Sequence, residues 1–365
     1  MNRPLLICNR PILALALAAM PLPAHAADIV YAARYYRAGS QGTTHFHLYR
    51  IHADGTGRKQ LTFGNDDEAA LAVSPDGRRI AYRHRDTVLI LDTRANRTLT
   101  LPNLFTKDQT ATGDQTVDRM GWSPDSARLV VYTSAGDTST AVVCNAASGK
   151  VVARWEGLWD LVLAPDGKHS LALTEDSAYV YAGFHQGSAP ALAIPGRIRG
   201  CWLDDTSFAL YNASKHAIEV VPLHGERRTV KLQLPAGTSE DVPEELGSDN
   251  TEIIGIPGDP RHVIVGAMDH NSTEGSYGQF FRVDTRTGSM GLIGDHNRFV
   301  TPSPDGKQFV TAPPRSLSPL GKMGTAGRQK SVWTAPLIIG SLATGKTRTI
   351  QDGLICVANA SWTAR

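Results

Sequence analysis

The sequence has almost no surplus of either charge. Its 365 residues include 37 Lys and Arg against 35 Asp and Glu. Proteins that bind nucleic acid normally carry a basic surplus or a basic stripe, because the phosphate backbone supplies much of the affinity. The composition therefore gives no reason to expect a nucleic-acid partner.

Long apolar runs are absent beyond the N-terminal segment. Residues 27–365 contain no run near the ~20 apolar residues that a helix needs to cross a bilayer, so we expect no membrane span. The first 26 residues combine a basic start at Arg3 and Arg10, a short apolar run at Ile12–Met20 and a small-residue cleavage site at Ala24–Ala26. They predict a signal peptide (1–26), cleavage before Ala27, and a periplasmic or secreted protein.

Cysteine is scarce. Beside Cys8 of the N-terminal segment there are only Cys144, Cys201 and Cys356. An odd number allows at most one disulfide, and no two of the three have the spacing of zinc ligands. Each lies in a strand-like run, which favours burial as a small apolar side chain over a bridge.

A short unit repeats along the rest of the chain. Its clearest copy is Val73–Tyr82, in which Ser-Pro-Asp-Gly separates an apolar residue from an apolar run. Proline presets φ, aspartate bonds to nearby backbone, and glycine adopts the left-handed conformation, so each copy predicts a tight turn between two buried strands. The copies, including a weak one at 256 and a truncated one at the C-terminus, begin at Val73, Trp122, Leu163, Trp202, Ile256, Pro302 and Trp362.

Two further apolar runs separate one copy from the next. After the first copy they are Thr87–Leu91 and Thr98–Leu101, which gives four strands per repeat. Repeats of about 40 to 50 residues with four strands each are typical of propeller blades. We therefore predict an all-β fold, a β-propeller of seven four-stranded blades, with six blades as the alternative.

The last blade is predicted to contain both termini. The copy at Trp362 has no strands after it, and Asp28–Ala33, Phe46–Ile51 and Arg58–Thr62 at the other end of the chain have the pattern of the three that are missing. This arrangement closes the ring and leaves no unpaired sheet edge. We expect a single propeller domain over residues 27–365.

The repeated polar and aromatic residues invite a catalytic interpretation. A catalytic group is needed once, whereas a turn residue is needed in every blade. We therefore predict that the repeated aspartates are structural turn residues and that the repeated tryptophans are structural packing residues. These are Asp76, Asp125, Asp166 and Asp305, and Trp122, Trp202 and Trp362. No catalytic residue, cofactor-binding residue or metal ligand is assigned from the sequence.

Two motifs of enzymes are missing or misplaced. No Gly-x-Ser-x-Gly elbow of a serine hydrolase is present. Residues Gly340–Thr347 match the phosphate-binding-loop string completely, but that motif functions only between a strand and a helix, and residues 348–353 lack the pattern of an amphipathic helix. The repeat predicts a hairpin between the third and fourth strands of a blade, and no nucleotide cofactor.

Two long loops interrupt the repeats. Pro235–Asn250 is acidic, and Pro313–Lys330 is basic and rich in Gly and Ser. Loops of this length are usually functional or disordered. Disorder or plain solvation is favoured here over contact with a partner.

The repeat resembles the TolB-type β-propeller repeat, in which Trp-Ser-Pro-Asp-Gly-Lys precedes an apolar strand. The best copies are those at Val73, Trp122, Leu163 and Pro302, and Leu48–Thr62 resembles the segment that connects successive copies. The resemblance implies a propeller over essentially the whole mature chain. TolB itself has six blades and an α/β domain before them, so the implied protein is a stand-alone propeller.

Two functions follow as hypotheses. The first is a non-enzymatic binding or scaffolding protein of the bacterial cell envelope, with another envelope protein or peptide as its partner, because no catalytic domain adjoins the propeller. The second is a carbohydrate-active, lyase-like enzyme with a metal held by histidines in the propeller channel, as the resemblance to lyase propellers implies. The candidate ligands are His45, His47, His84, His185, His262, His270 and His296, of which only His45 and His47 form a close pair.

Overall fold

The structure is a computed structural model that describes residues 27–35, 44–105, 115–135, 138–184, 189–196, 199–236, 238, 242, 246, 251–269, 277–297, 299–313, 315–317, 332–352 and 356–363. Seven four-stranded antiparallel sheets form the blades of a β-propeller. The prediction of seven blades is confirmed, and the alternative of six is wrong. The predicted signal peptide lies outside the described residues. Within them, no helix is long and apolar enough to cross a membrane.

The first three strands share a sheet with the last, as predicted. This sheet, blade 7, comprises β1 (Asp28–Arg34), β2 (His47–His52), β3 (Lys59–Gln60) and β30 (Cys356–Trp362). Strand β1 pairs antiparallel with β30, with Ile29 opposite Trp362. The Asp28 amide also donates to Thr363 Oγ1 at 3.0 Å. The two ends of the chain therefore close the ring.

Blades 1 to 3 follow in chain order, each given from its first strand to its last. Blade 1 comprises β4 (Glu68–Val73), β5 (Arg79–His84), β6 (Thr87–Asp92) and β7 (Arg97–Thr100). Blade 2 comprises β8 (Gln115–Trp122), β9 (Arg128–Ala135), β10 (Thr138–Asn145) and β11 (Val151–Glu156). Blade 3 comprises β12 (Asp160–Leu163), β13 (His169–Leu173), β14 (Ser177–Ala182) and β15 (Leu192–Pro195).

Blades 4 to 6 complete the ring. Blade 4 comprises β16 (Gly200–Trp202), β17 (Ser207–Asn212), β18 (Ala217–Pro222) and β19 (Arg228–Lys231). Blade 5 comprises β20 (Glu252–Gly255), β21 (His262–Asp269), β22 (Tyr277–Asp284) and β23 (Met290–Asn297). Blade 6 comprises β24 (Val300–Pro302), β25 (Gln308–Thr311), β28 (Leu337–Ser341) and β29 (Thr347–Gln351), and a two-stranded extension between its second and third strands comprises β26 (Arg315–Leu317) and β27 (Val332–Thr334).

The core is divided among the interfaces between blades. In the described part of the chain, seven clusters of buried apolar side chains each join two neighbouring blades. Strand β1 shows why, since successive side chains of a strand point to opposite faces. Tyr31 packs toward blade 6, and its neighbours Val30 and Ala32 pack toward blade 1. A continuous apolar run thus supplies two interfaces at once.

The repeated turn has the geometry that its residues predict. In the first copy, the Gly77 amide donates to Ser74 O at 2.8 Å, and Gly77 has φ of 68°. The Asp76 carboxylate accepts from the Ser74 hydroxyl at 2.6 Å and from the Arg78 amide at 3.0 Å. These bonds occupy the carboxylate within the turn.

The acidic loop is not simply solvated where it is described. Val242 and Leu246 are buried against blades 4 and 5, and the Tyr211 hydroxyl donates to Leu246 O at 2.5 Å. Apolar contacts therefore anchor this loop. Most of the basic loop lies outside the described residues.

Cys144, Cys201 and Cys356 are all free thiols. Burial raises the pKa of Cys144 to about 11 and that of Cys201 to about 12. Since the thiolate is the nucleophile, these two thiols are unreactive at neutral pH.

Candidate functional site

The first strand of each blade lines the central channel. Successive first strands contact each other around the ring, among them β4 with β8, β16 with β20, and β30 with β4. All seven run in the same direction, so their N-terminal ends meet at one end of the ring. We call this end the mouth; Glu68, Asp160 and Glu252 are at the starts of three of these strands.

A cavity of about 650 Å³ opens at the mouth across blades 2 to 5. Its wall combines five charged residues with two aromatic side chains and several hydroxyls. The charged residues are Asp118, Arg119, Asp160, Arg199 and Glu252, and the aromatic residues are Tyr132 and Trp159. Concave sites where a few polar groups converge on an apolar wall are the usual location of ligand binding.

Arg119 is held in place by three neighbours. Its Nη1 donates to Asp160 Oδ2 at 2.8 Å, its Nη2 donates to Trp159 O, and its guanidinium lies 4.2 Å from the centre of the Tyr132 ring. Burial opposes the charge on Arg119, but Asp160 and the other acidic groups nearby together outweigh burial, so the pKa of Arg119 lies above its ordinary value. A fixed and permanently charged guanidinium therefore faces the cavity.

The ring of Tyr132 lies against the guanidinium of Arg119 and supports it. Its hydroxyl donates to Leu161 O at 2.7 Å and accepts from the Leu161 amide at 3.2 Å. Burial and then the Asp160 carboxylate raise the pKa of Tyr132 well above its ordinary value. The phenol therefore stays neutral and serves as a platform for Arg119.

Arg199 and Trp159 form the next part of the wall. The Arg199 guanidinium lies 5.2 Å from the centre of the Trp159 ring, and 46% of the surface of Trp159 is exposed. A half-exposed tryptophan in a cavity offers a large, rigid surface to a ligand. The cation beside it adds a second hydrogen-bonding group.

Glu252 adds a carboxyl group whose pKa is shifted from its ordinary value. Its side chain reaches the water of the channel, but the surrounding blades enclose it, and this desolvation raises its pKa. The positive charges of Arg119 and Arg199 oppose the change without cancelling it. A carboxyl group with a raised pKa beside two guanidinium groups is suited to proton transfer and to stabilising negative charge.

The residues assigned to turns and packing lie away from this cavity. The turns of Asp76, Asp125, Asp166 and Asp305 join first to second strands, at the end opposite the mouth. The indole nitrogens of Trp122, Trp202 and Trp362 donate to Ala72 O, Val162 O and Thr301 O at 3.0, 2.9 and 3.0 Å, in each case in the first strand of the preceding blade. That these residues serve only the fold stays a proposal.

The candidate metal ligands are scattered. His45, His47 and His84 lie near Glu68 at the mouth, His262 lies at the opposite end, and His185, His270 and the side chain of His296 lie outside the described residues. Among described side chains, no group of three or more His, Cys, Asp or Glu is placed to hold a metal ion. The histidines that the structure describes are therefore not gathered into a metal centre.

The phosphate-loop string forms the predicted hairpin between β28 and β29. Leu342, Ala343, Thr344 and Gly345 of this hairpin line a second cavity, of about 330 Å³, at the end opposite the mouth. The Leu342 amide is bonded to Lys307 O at 3.0 Å, and the Gly345 amide to Ser341 O at 2.8 Å. The backbone is thus arranged as a turn between two strands.

Sequence reasoning missed every charged residue of the mouth cavity, although a signal is present. Arg119, Asp160 and Arg199 each lie three residues before the start of a repeat copy, at Trp122, Leu163 and Trp202. In the copies at Val73, Ile256 and Pro302 that position holds Ala70, Ile253 and Phe299. Charged residues in one aligned column of three consecutive blades identify one sector of the channel wall.

Comparison with known proteins places the chain by its fold. No family model and no curated protein matches the sequence. The periplasmic gluconolactonase of Pseudomonas aeruginosa is similar in structure, with 16% identity, a TM-score of 0.53, and coverage of 93% of this chain and 99% of that one. A protein of Bacteroides uniformis assigned as a 6-phosphogluconolactonase gives 13% identity, a TM-score of 0.52, and coverage of 92% and 99%. TolB of Acinetobacter baumannii is also similar, with 14% identity, a TM-score of 0.49, and coverage of 93% and 67%.

These structures correct one prediction. The expectation of a non-enzymatic scaffolding protein rests on the absence of a catalytic domain beside the propeller. The structural match covers 99% of the gluconolactonase chain, so a protein named as an enzyme needs no domain beyond this fold. The prediction of a scaffolding protein is wrong.

Proposed function

We propose that this protein is an enzyme that hydrolyses a sugar lactone, a cyclic ester, in the mouth cavity. The observation that carries the proposal is the position of Glu252, a carboxyl group of raised pKa that shares the cavity with Arg119 and Arg199. Ester hydrolysis requires a base for water and positive charge for the oxyanion. The names of the gluconolactonases with this fold make a lactone the first substrate to test.

In the proposed reaction, the Glu252 carboxylate accepts a proton from a water molecule, whose oxygen bonds to the lactone carbonyl carbon. The carbonyl electron pair moves to its oxygen, and the guanidinium groups of Arg119 and Arg199 stabilise the oxyanion that forms. The electron pair of the oxyanion then re-forms the carbonyl bond as the bond between the carbonyl carbon and the ring oxygen breaks. The ring oxygen takes the electron pair of that bond and the proton from Glu252, which gives a hydroxy acid and restores the carboxylate.

The raised pKa of Glu252 supports the first step, because a carboxylate of higher pKa is a stronger base. Asp160 holds the guanidinium of Arg119 in place, so the positive charge need not reorganise as the oxyanion forms. Trp159 provides the flat surface against which the ring lies. Each part of the wall thus has one role in the proposal.

The proposal includes export through the inner membrane of a bacterium. Residues 1–26 have the pattern of a signal peptide, and a gluconolactonase of this fold is periplasmic. Mass spectrometry of protein from the periplasmic fraction should find a chain that begins at Ala27. Recovery of the uncleaved chain from the cytoplasm alone would refute this part.

The decisive experiment follows acid release from δ-gluconolactone with a pH indicator. The purified protein should exceed spontaneous hydrolysis, and Glu252→Gln should lower kcat by about 10²- to 10⁴-fold. The matched control is Glu226→Gln, an exposed residue of the blade 4 hairpin at the end opposite the mouth, which should leave the rate unchanged. No rate above the spontaneous one, or a Glu252→Gln variant as active as the control, would overturn the proposal.

A further inference from the structure

The charges of the mouth cavity nearly balance. Asp118, Asp160 and Glu252 are three carboxylates against the two guanidinium groups of Arg119 and Arg199, so the wall carries one net negative charge when Glu252 is ionised and none when it is protonated. We infer that the substrate is an uncharged, polyhydroxylated ring with neither a phosphate nor a carboxylate group. This inference rests on the proposed function and specifies its substrate class.

Both cations already have a negatively charged neighbour in the wall, so neither brings surplus positive charge. Asp160 lies 2.8 Å from Arg119 Nη1, and Nη2 of the same guanidinium is bonded to Trp159 O. Arg199 lies against Trp159, and its charge acts on Glu252. Arg83 of blade 1 donates to Val117 O at 3.1 Å and does not line the cavity.

A phosphorylated ring would be a poor fit. A phosphate monoester carries about −1.5 to −2 charges at neutral pH, and proteins bind such groups with surplus arginine, lysine or backbone amides. In this cavity an added dianion would meet the carboxylates of Asp118 and Glu252 with no surplus cation. Like charges at short range in a partly enclosed site repel by an amount that easily decides specificity.

Asp118 provides the positive part of the inference. Its Oδ1 accepts from the Thr116 hydroxyl at 2.7 Å and from the Ser134 hydroxyl at 3.2 Å. Within the described residues Oδ2 accepts no hydrogen bond, and the side chain is exposed to the cavity. An oriented carboxylate oxygen beside the half-exposed Trp159 suits a ring that carries hydroxyls on its edge and an apolar face.

The test compares δ-gluconolactone with its 6-phosphate on the purified protein. We expect kcat/KM to be at least about tenfold higher for the neutral lactone. Added salt should raise kcat/KM for the phosphorylated lactone only, because salt screens repulsion. Asp118→Asn should reduce the ratio of kcat/KM for the neutral lactone to kcat/KM for the phosphorylated lactone by about threefold or more. Asp205→Asn is the control, since Asp205 is an exposed residue on a turn at the opposite end, and it should leave this ratio unchanged.

A binding experiment separates the inference from the proposed reaction. Glucose and glucose 6-phosphate form a matched pair of unreactive rings, and ligand-observed NMR should detect binding of glucose and weaker binding of its phosphate. Binding of glucose without lactone hydrolysis would refute the reaction and support the inference. Tighter binding or faster hydrolysis of the phosphorylated compound would overturn the inference alone, and absence of both binding and hydrolysis would overturn both.

Discussion

The guanidinium of Arg119 and the carboxylate of Asp160 join the first strands of blades 2 and 3 at the mouth, with 2.8 Å between Nη1 and Oδ2. The two residues occupy the same position in consecutive copies of the repeat, three residues before Trp122 and Leu163. Their contact therefore connects neighbouring blades within the wall of the candidate site. It also links the charge of Asp160 to Glu252 through Arg119.

The charges around Glu252 should set the acid limb of the pH–rate profile. In the proposed reaction Glu252 acts as the carboxylate, so kcat/KM falls as the pH drops through its pKa. Arg199 lowers that pKa, so Arg199→Gln should move the acid limb to higher pH. Asp160→Asn leaves the positive charge of Arg119 without its carboxylate partner and should move the acid limb to lower pH. A pH profile of lactone hydrolysis measures both shifts.

The conservative variant Arg199→Lys keeps the charge and is the matched control for the first shift. Its acid limb should stay near that of the parent, even if its rate falls because the contact with Trp159 changes. If Arg199→Gln and Asp160→Asn both moved the acid limb in the same direction, the result would contradict the placement of Glu252 between these charges. Asp160→Asn should also lower kcat/KM by about tenfold to a hundredfold, since Arg119 loses the partner that holds it.

Glu68 should make stability depend on pH. It is buried at the seam of blades 7 and 1, and its Oε2 lies 3.6 Å from His47 Nδ1 and accepts from the Thr62 hydroxyl. Burial raises the pKa of Glu68 above its value in the unfolded chain. The stability associated with its protonated form is therefore present in acid and lost as the pH rises through the folded-state pKa.

The variant Glu68→Gln removes this decrease in stability with rising pH, because its amide side chain cannot ionise. Its amide oxygen can still accept a hydrogen bond from the Thr62 hydroxyl. The melting temperature of Glu68→Gln minus that of the parent should increase by about 2 °C or more as the pH is raised from about 4 to about 8. The other ionisable groups around Glu68 are His47 and Tyr49 of β2, Tyr82 and His84 of β5, and the adjacent His45, Asp66, Asp67 and Arg85. A difference that does not vary with pH, or that Glu226→Gln reproduces, would show that Glu68 is not the group responsible.

Closure of the ring should depend on Trp362. This side chain is 5% exposed, packs between blades 6 and 7, and donates from Nε1 to Thr301 O at 3.0 Å. Trp362→Ala should cost about 3 to 5 kcal/mol in the free energy of unfolding, and deletion of Ala360–Arg365 should cost at least as much. Thermal or urea melts measure both changes.

Deletion of Ala364 and Arg365 alone keeps β30 and is the matched control, expected to melt like the parent. Deletion of six residues from the part of Pro313–Lys330 that follows β26 should also cost little, because loop length affects closure entropy only logarithmically. If removal of Ala360–Arg365 proved as harmless as these two changes, pairing of β30 with β1 would not be what closes the ring.

The hairpin at Ser341 should gain stability from a carboxylate. In the equivalent hairpins, Asp92 Oδ1 accepts from the Arg94 and Ala95 amides at 2.9 and 2.8 Å, and Asp284 Oδ1 accepts from the Arg286 amide at 2.8 Å. Among described contacts, the Ser341 hydroxyl makes no such bond. Ser341→Asp should therefore stabilise the protein by about 1 kcal/mol at most, a magnitude typical of helix caps.

The reverse change provides the control. Asp92→Ser should destabilise the protein by a similar amount in the same urea titration, since it removes the acceptor of two amides. If both substitutions stabilised the protein, or both destabilised it, the result would contradict the assignment of this position as the acceptor of the hairpin amides. If the parent protein bound ATP and Ser341→Asp abolished that binding, the interpretation of Gly340–Thr347 as a structural hairpin would be contradicted.

The fold was accessible from the sequence because its determinants are local and repeated. Each copy pairs an apolar strand with turn chemistry that has one backbone solution. The ring closure also followed, since Trp362 lacks the three strands that the segment from Asp28 to Thr62 supplies. Seven copies reinforce one another, so the weak one at Ile256 did not alter the blade count.

The candidate site was not accessible in the same way. Arg119, Asp160 and Glu252 are separated by 41 and 92 residues in sequence, and only the curvature of the ring brings them to one cavity. Their importance also lies in how they differ from the repeat, whereas pattern reasoning detects what is shared. The inference from a missing catalytic domain failed because a protein named as a gluconolactonase consists of this fold alone, with 99% of its chain covered by the structural match.

The pairing of β1 with β30 has a consequence in time. The Asp28 amide and the Thr363 hydroxyl are 335 residues apart, and a ribosome that adds roughly 5 to 20 residues per second needs roughly 20 to 70 s to cover that distance. During synthesis β1 can pair with β2, but its other edge has no partner until the last residues emerge. A newly made chain therefore carries an unpaired strand edge, a site at which other chains can pair, until its own C-terminal strand is available.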